Sequence, residues 1–206
     1  MIFTTIDFIV FFVFILAAVA IIKHRKFQHL ILLGGSYYFF YFSSNYLIVL
    51  LIFTTILDFY LAKIIHDTED ALRKKLLLTI SLVGNLGLLG FFKYSDFAIL
   101  EFNILGNYLD LSTEIPFFNL ILPLGISFYT FQTLSYTIDV YRGTLKPSKT
   151  FSEFALFVAF FPQLVAGPIL RAKQFLPQLR EKIQNYETKG SIRQIIFQNN
   201  HLKFGI

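Results

Sequence analysis

Two apolar stretches carry residues that a plain lipid-facing helix avoids, and they constrain what this chain can fold into. Residues 122–142, LPLGISFYTFQTLSYTIDVYR, hold Pro123, Gly125, Gln132 and Asp139, and residues 160–171, FFPQLVAGPILR, hold Pro162, Gln163, Gly167 and Pro168. Inside hydrocarbon, broken backbone and polar side chains are tolerated only where protein or a water cavity satisfies them. The two stretches therefore point to a protein-lined polar path in a membrane, surrounded by helices from the rest of the chain. Composition agrees. Hydrophobic residues make up 55% of the 206 residues and charged residues 15%, against roughly 25% charged in a soluble domain.

The lack of cysteine excludes disulfide frameworks, thiol nucleophiles and Cys-based zinc sites. The net charge of +5 would suggest nucleic acid in a soluble protein. Here Lys and Arg gather in short loops, which is the signature of the cytoplasmic side of a membrane protein. No nucleic-acid partner is expected.

Residues 6–22 form an apolar run of about 17 residues, near the lower limit for a span. A secretory signal peptide is the rival reading, because Ala18, Val19 and Ala20 resemble a cleavage site. Against it, no Lys or Arg precedes the run, and Asp7 stands where positive charge belongs. Lys23, Arg25 and Lys26 mark the end of this run as cytoplasmic, and so do Lys63, Arg73, Lys74 and Lys75 further on. Two cytoplasmic ends require an even number of crossings. Residues 30–65 are therefore expected to form a helical hairpin turning at Ser43 to Asn45, with arms of about 16 residues, short for spans.

Residues 76–92 cross back. Gly84, Gly87 and Gly90 recur at every third position, as in close helix packing or beside a substrate path, and Asn85 is expected to hydrogen-bond a neighbouring helix. Residues 93–116 form a more polar connection with Asp96, Glu101, Asp110 and Glu114, in which residues 97–105 suit an interfacial helix. Residues 117–140 return, and Pro123 near the start predicts a kinked, buried helix. Positive charge flanks residues 154–169 on both sides, through Arg142, Lys146, Lys149, Arg171 and Lys173. A re-entrant segment broken at Pro162 and at Gly167-Pro168 follows. Phe175, Leu179, Ile183 and Tyr186 share one face of an amphipathic surface helix over residues 174–189.

Catalytic chemistry is sparse. His24, His29 and His66 sit in or beside basic loops, where histidine is usually just solvated, and His201 lies in the tail. No HExxH, CxxC, GxSxG or phosphate-loop pattern occurs. Asp139 lies three residues before Arg142, at a spacing that allows an ion pair on one helix face; Asp58 with Lys63 is a weaker version. Tyr129, Tyr136 and Tyr141 could offer hydroxyls to a cavity or serve as interfacial anchors.

LPLGISFYTFQTLSYTIDVYRG at 122–143 and FVAFFPQLVAGPILR at 157–171 resemble the membrane-bound O-acyltransferase family, and within it the bacterial alginate O-acetyltransferase branch. SYYFFY at 36–41 and GFFKY at 90–94 agree. The resemblance implies an all-α, polytopic membrane helical bundle with a kinked helix and a re-entrant segment. Residues 1–190 would be the N-terminal half of that fold, and 191–206 a divergent or truncated tail. The motif residues are Pro123, Gly125, Ser127, Phe128, Asp139, Tyr141, Arg142, Pro162, Gly167, Pro168 and Arg171, with no role assigned to any of them.

The implied activity is O-acetyl transfer at the bacterial inner membrane, which the chain would cross several times. The donor is cytoplasmic, acetyl-CoA or another activated acyl carrier, with no bound cofactor and no metal. The acceptor is a hydroxyl of an exopolysaccharide or cell-wall polymer, or an extracytoplasmic acceptor protein. The family's catalytic histidine lies in the second half, and none of the four histidines here matches its motif. The chain is therefore expected to be an inactive, truncated front half. A non-catalytic membrane subunit and a small transporter or flippase are the alternatives.

Overall fold

Most of the apolar runs become helix, and no strand occurs among the described residues. These are residues 6–22, 24–109, 114–166 and 170–184 of the computed structural model. The helices are α1 (Ile6–Ile21), α2 (Arg25–Ser44), α3 (Ile48–Asp67), α4 (Ala71–Tyr108), α5 (Ile126–Tyr141), α6 (Phe151–Ala159), α7 (Phe161–Ala166) and α8 (Ala172–Gln184). The stretches Lys26–Asp67 and Ala71–Tyr108 are long and apolar enough to cross a membrane. Large apolar side chains such as Phe14, Phe42, Phe53, Val83, Phe91 and Phe131 face outward. Water would not tolerate so much exposed apolar surface, and lipid would. The architecture is that of a membrane helical bundle.

The turns are tied by specific side chains. Gln28 Nε2 donates to the carbonyls of Val19 at 3.1 Å and Ile22 at 2.6 Å, capping the orphan carbonyls that end α1. A 3-10 turn over Asn45–Leu47 joins α2 to α3, and Asn45 takes a positive φ of 52° there, which is uncommon for a residue other than glycine. Asp70 Oδ1 accepts from Leu72 N at 2.9 Å and caps α4.

Two contacts fix the directions. Leu124 N donates to Ser44 Oγ at 2.9 Å, and the Phe40 ring meets Tyr129 at 6.0 Å, so α5 starts where α2 ends and runs against it. Asp58 of α3 bonds Ser81 and Asn85 of α4, which makes that pair antiparallel as well. The expected hairpin at Ser43 to Asn45 is present. Its arms are longer than expected, at 20 residues each, or about 30 Å, enough for a hydrocarbon core. Helical hydrogen bonding runs on past the point where hydropathy falls, through Lys26 and His29 at one end and Lys63 and His66 at the other.

Two expectations about α4 and α5 are corrected. The span at 76–92 and the separate interfacial helix at 97–105 are one continuous helix of 38 residues, roughly 57 Å long. Asp96, Glu101 and Asn103 interrupt the apolar pattern but not the backbone, since none of them breaks a helix. Residues 114–122 then return along α4 without helical structure. The Asn103 amide donates to Ile115 O and accepts from Ile115 N, both at 2.9 Å, and Asp96 Oδ1 accepts from Phe118 N at 2.8 Å. The kink expected at Pro123 is instead a helix start. Pro123 lacks an N–H and disfavours helix at Leu122, Gly125 takes φ 67°, and α5 begins at Ile126.

The glycines of α4 divide. A Cβ on Gly84 would sit 3.0 Å from Leu57 Cδ2, whereas one on Gly87 or Gly90 would meet nothing within 4 Å. Of these three, Gly84 alone marks a close helix approach.

The short α6 is the most enclosed element. Phe154, Ala155, Leu156, Phe157, Val158 and Ala159 are all buried. It packs against α2, α3, α5 and α8. Thr150 caps it by accepting from Glu153 N at 3.4 Å. Phe154 meets the Tyr136 ring at 4.4 Å and the Phe59 ring at 6.1 Å. In α8, Ala172 and Leu176 are buried and Phe175 packs on Phe157 at 5.6 Å, which gives the expected helix one covered face. Ile183's side chain and Tyr186 lie outside the described residues.

Candidate functional site

Polar side chains inside the bundle form two groups. The first joins α3, α4 and α5. Asp58 is fully buried (0% exposed). Its Oδ1 accepts from Ser81 Oγ and its Oδ2 from Asn85 Nδ2 at 2.8 Å. Asn85 Nδ2 also donates to Ser81 O at 2.9 Å, and Asn85 Oδ1 accepts from Thr133 Oγ1 at 3.2 Å. Ser81 and Asn85 lie four residues apart, on one face of α4, so a single helix presents both donors to the carboxylate. Lys63 does not pair with Asp58 as the sequence suggested. Its Nζ lies 4.3 Å from the centre of the Phe59 ring, since five residues along a helix turn it away from Asp58.

The second group surrounds the break between α6 and α7. Phe160, with φ −56° and ψ 102°, ends α6, at the level of the middle of α2 and α5. Side chains meet the freed backbone groups. Gln132 Nε2 donates to Phe157 O at 2.7 Å, and Phe161 N donates to Ser36 Oγ at 3.3 Å. Ser36 Oγ itself donates to Leu32 O at 2.7 Å. Pro162 falls in the first turn of α7, where its missing N–H costs nothing. Other valences here are unspent. Tyr129 Oη, Gln132 Oε1 and both polar atoms of Gln163 are buried with no hydrogen-bond partner among the described residues.

The motif residues lie at three places. Pro123, Gly125, Ser127 and Phe128 form the start of α5, with Pro123 buried. Asp139, Tyr141 and Arg142 form its end, where Gly143 at φ 71° closes the helix. Asp139 and Arg142 make no ion pair; the Asp139 carboxylate meets Thr144 Oγ1 at 3.4 Å, and its carbonyl accepts from Thr144 N at 3.0 Å. The helix-ending turn brings Thr144, rather than the solvent-facing Arg142, to Asp139. Pro162 sits at the break, and Arg171 is exposed just before α8. Gly167 and Pro168 lie outside the described residues. The expected hydrogen bond from Asn85 to a neighbouring helix is present. Of the tyrosines, Tyr136 Oη accepts from Ser148 N at 2.9 Å, while Tyr141 is exposed.

Sequence reasoning undervalued Asp58, Ser81 and Thr133. The signal was a lone carboxylate in the apolar string TTILDFYL, opposite a helix carrying Ser and Asn four apart.

The polar interior and its broken helix can now be set beside known proteins. A peptidoglycan O-acetyltransferase of Helicobacter pylori is 34% identical over 155 residues, which is 64% of this chain and 28% of that protein. A probable alginate O-acetylase AlgI of Pseudomonas aeruginosa is 41% identical over 107 residues, 51% of this chain and 20% of that protein. The chain is similar to these O-acetyltransferases, which are membrane-bound O-acyltransferases. The same relationship extends to a probable alginate O-acetylase AlgI of Azotobacter vinelandii, 40% identical over 107 residues and 21% of that protein. The match to these acyltransferases thus covers less than a third of each relative's length. No protein-family profile matches the chain, and no solved structure matches it.

Among the described residues, His24, His29 and His66 all lie near the turns that join α1 to α2 and α3 to α4. His66 Nδ1 is 3.0 Å from Asp67 Oδ1 there. Described groups of His, Asp and Glu that could hold a metal are absent.

Proposed function

We propose that this chain supplies membrane-embedded core helices of a bacterial inner-membrane O-acetyltransferase. The observation that carries this reading is its similarity to relatives named peptidoglycan O-acetyltransferase and alginate O-acetylase. The reaction moves an acetyl group from an activated donor, acetyl-CoA or another acyl carrier, to a hydroxyl of an exopolysaccharide or cell-wall polymer, or of an acceptor protein. The donor approaches from the cytoplasmic side, to which the positive-inside rule assigns the loop that bears Arg142, Lys146 and Lys149. The chain crosses the membrane several times.

Acyl transfer to a hydroxyl needs a general base within hydrogen-bond reach of the proton removed. The resemblance to the family puts a histidine in that role, and since His24, His29 and His66 lie near the helix turns, the base is placed outside α1 to α8. The test is acetyl transfer in proteoliposomes, with acetyl-CoA as donor and a mannuronate oligomer or muramyl glycan as acceptor. The 206-residue chain alone is expected to be inactive. Co-reconstitution with the C-terminal part of an AlgI relative is expected to restore transfer. Transfer by the chain alone would contradict the assignment of the base elsewhere. No transfer in any combination, with the helices intact, would contradict the acetyltransferase reading.

A further inference from the structure

We propose that a groove between α1 and α2 holds an acyl chain of a phospholipid, and that Asp7 at its mouth selects a headgroup with a primary ammonium, as in phosphatidylethanolamine. The groove has a volume of about 800 Å³, within the range of pockets that take small ligands. Asp7, Val10 and Phe14 of α1 line it, with Gly34, Tyr38 and Phe42 of α2. On each helix these positions recur every three or four residues, so they share one face.

Two adjacent glycines shape the groove. A Cβ on Gly35 would lie 2.8 Å from Ile15 Cδ1, so the helices touch there. A Cβ on Gly34 would meet nothing within 4 Å, and its missing side chain leaves open floor. Towards the turn that joins the helices the pair is closed, with Ile15 and Val19 buried and Gln28 bonded to Val19 O. Towards Asp7 the groove opens, and Val10, Phe14, Tyr38 and Phe42 are each more than half exposed. Phe11 stacks on Tyr38 at 5.7 Å and on Phe39 at 6.2 Å, backing the groove with packed rings.

Length and charge select the occupant. Asp7 and Ile15, which both line the groove, are eight residues apart on α1, about 12 Å of helix. One leaflet supplies about 15 Å of hydrocarbon. A groove of that depth fits a lipid chain. A partner's transmembrane helix would need a path through both leaflets, and the closed half of the α1–α2 pair offers none. Asp7 is the one charged residue of the lining. It is exposed, in the first turn of α1, at the end of the pair opposite Arg25 and Lys26, where headgroups lie. A carboxylate there attracts an ammonium and repels a headgroup of net negative charge. No Lys or Arg of the lining offsets that repulsion. The inference needs the bundle to sit in a membrane and is independent of acetyl transfer.

Native mass spectrometry tests it, on the full chain released from nanodiscs of phosphatidylethanolamine and phosphatidylglycerol in equal amounts. The native chain is expected to retain one phosphatidylethanolamine. Gly34→Phe, which fills the floor, is expected to lose it. Asp7→Asn is expected to lower the ratio of retained phosphatidylethanolamine to phosphatidylglycerol several-fold. The helical signal in circular dichroism should be unchanged in both, and if Gly34→Phe loses it, the Asp7→Asn ratio decides. Native-level retention by a helical Gly34→Phe would overturn the proposal, as would an unchanged ratio in Asp7→Asn. So would a native chain that retains no lipid or both lipids equally, or one that leaves the nanodisc as a lipid-free dimer, which would give this face to a second copy.

Discussion

The cluster at Asp58 and the break at Phe160 are built from the same kinds of side chain at similar depth, yet they are finished differently. At Asp58 each donor is used: Ser81 and Asn85 meet the carboxylate, and Thr133 meets the Asn85 carbonyl. At the break, Gln132 and Ser36 satisfy the interrupted backbone, and what remains on Gln132, Gln163 and Tyr129 has no partner among the described residues. The first arrangement locks three helices and has nothing left to offer a ligand. The second keeps a helix from continuing and leaves capacity over. Polar residues in a membrane bundle are thus not one class. One set fastens helix to helix, and the other fastens an interrupted backbone.

Substitutions test that contrast. Asp58→Ala should have the largest effect, because it strands the Ser81 and Asn85 donors in an apolar interior. A loss of about 2 kcal/mol is expected in denaturant unfolding of the reconstituted chain, with Asp58→Asn milder. Equal losses for the two variants would mean that the pairing at Asp58 contributes nothing. Gln132→Leu should cost about 1–2 kcal/mol by orphaning Phe157 O. Gly125→Ala should cost about 1 kcal/mol, since Gly125 starts α5 in a left-handed conformation that a Cβ disfavours. Gln163→Leu should be neutral or slightly stabilising in the same unfolding assay, because it removes polar atoms that have no partner among the described residues. A loss as large as that of Gln132→Leu would show that Gln163 is a fastener too.

Much of this was legible in the sequence. Apolar runs between basic clusters specified the hairpin and its turn at Ser43 to Asn45, and Pro162 marked the broken segment. Asn85 announced its interhelical bond because an amide in an apolar helix needs a partner. What could not be read depended on three-dimensional neighbours. Hydropathy ended α4 near Phe92, but helix geometry carries it to Tyr108, with Asn103 and Asp96 holding the returning strand of chain. Pro123 appeared to kink a helix, and only the left-handed Gly125 shows that the helix has not yet begun. Asp139 and Arg142 had the spacing of an ion pair, yet the turn at Gly143 directs Thr144 to Asp139. Asp58 and Lys63 were paired along the sequence, whereas the partners of Asp58 lie on α4, more than twenty residues away.

The central claim is that side chains of neighbouring helices hold a broken backbone inside the bundle. Solid-state NMR on the chain in lipid, with ¹⁵N in glutamine side chains and ¹³C in phenylalanine carbonyls, tests it directly. The account predicts dipolar transfer between Gln132 Nε2 and the Phe157 carbonyl carbon, together with a non-helical carbonyl shift at Phe160, and loss of the transfer in Gln132→Leu. A helical shift through Phe160, with no transfer from Gln132, would contradict it.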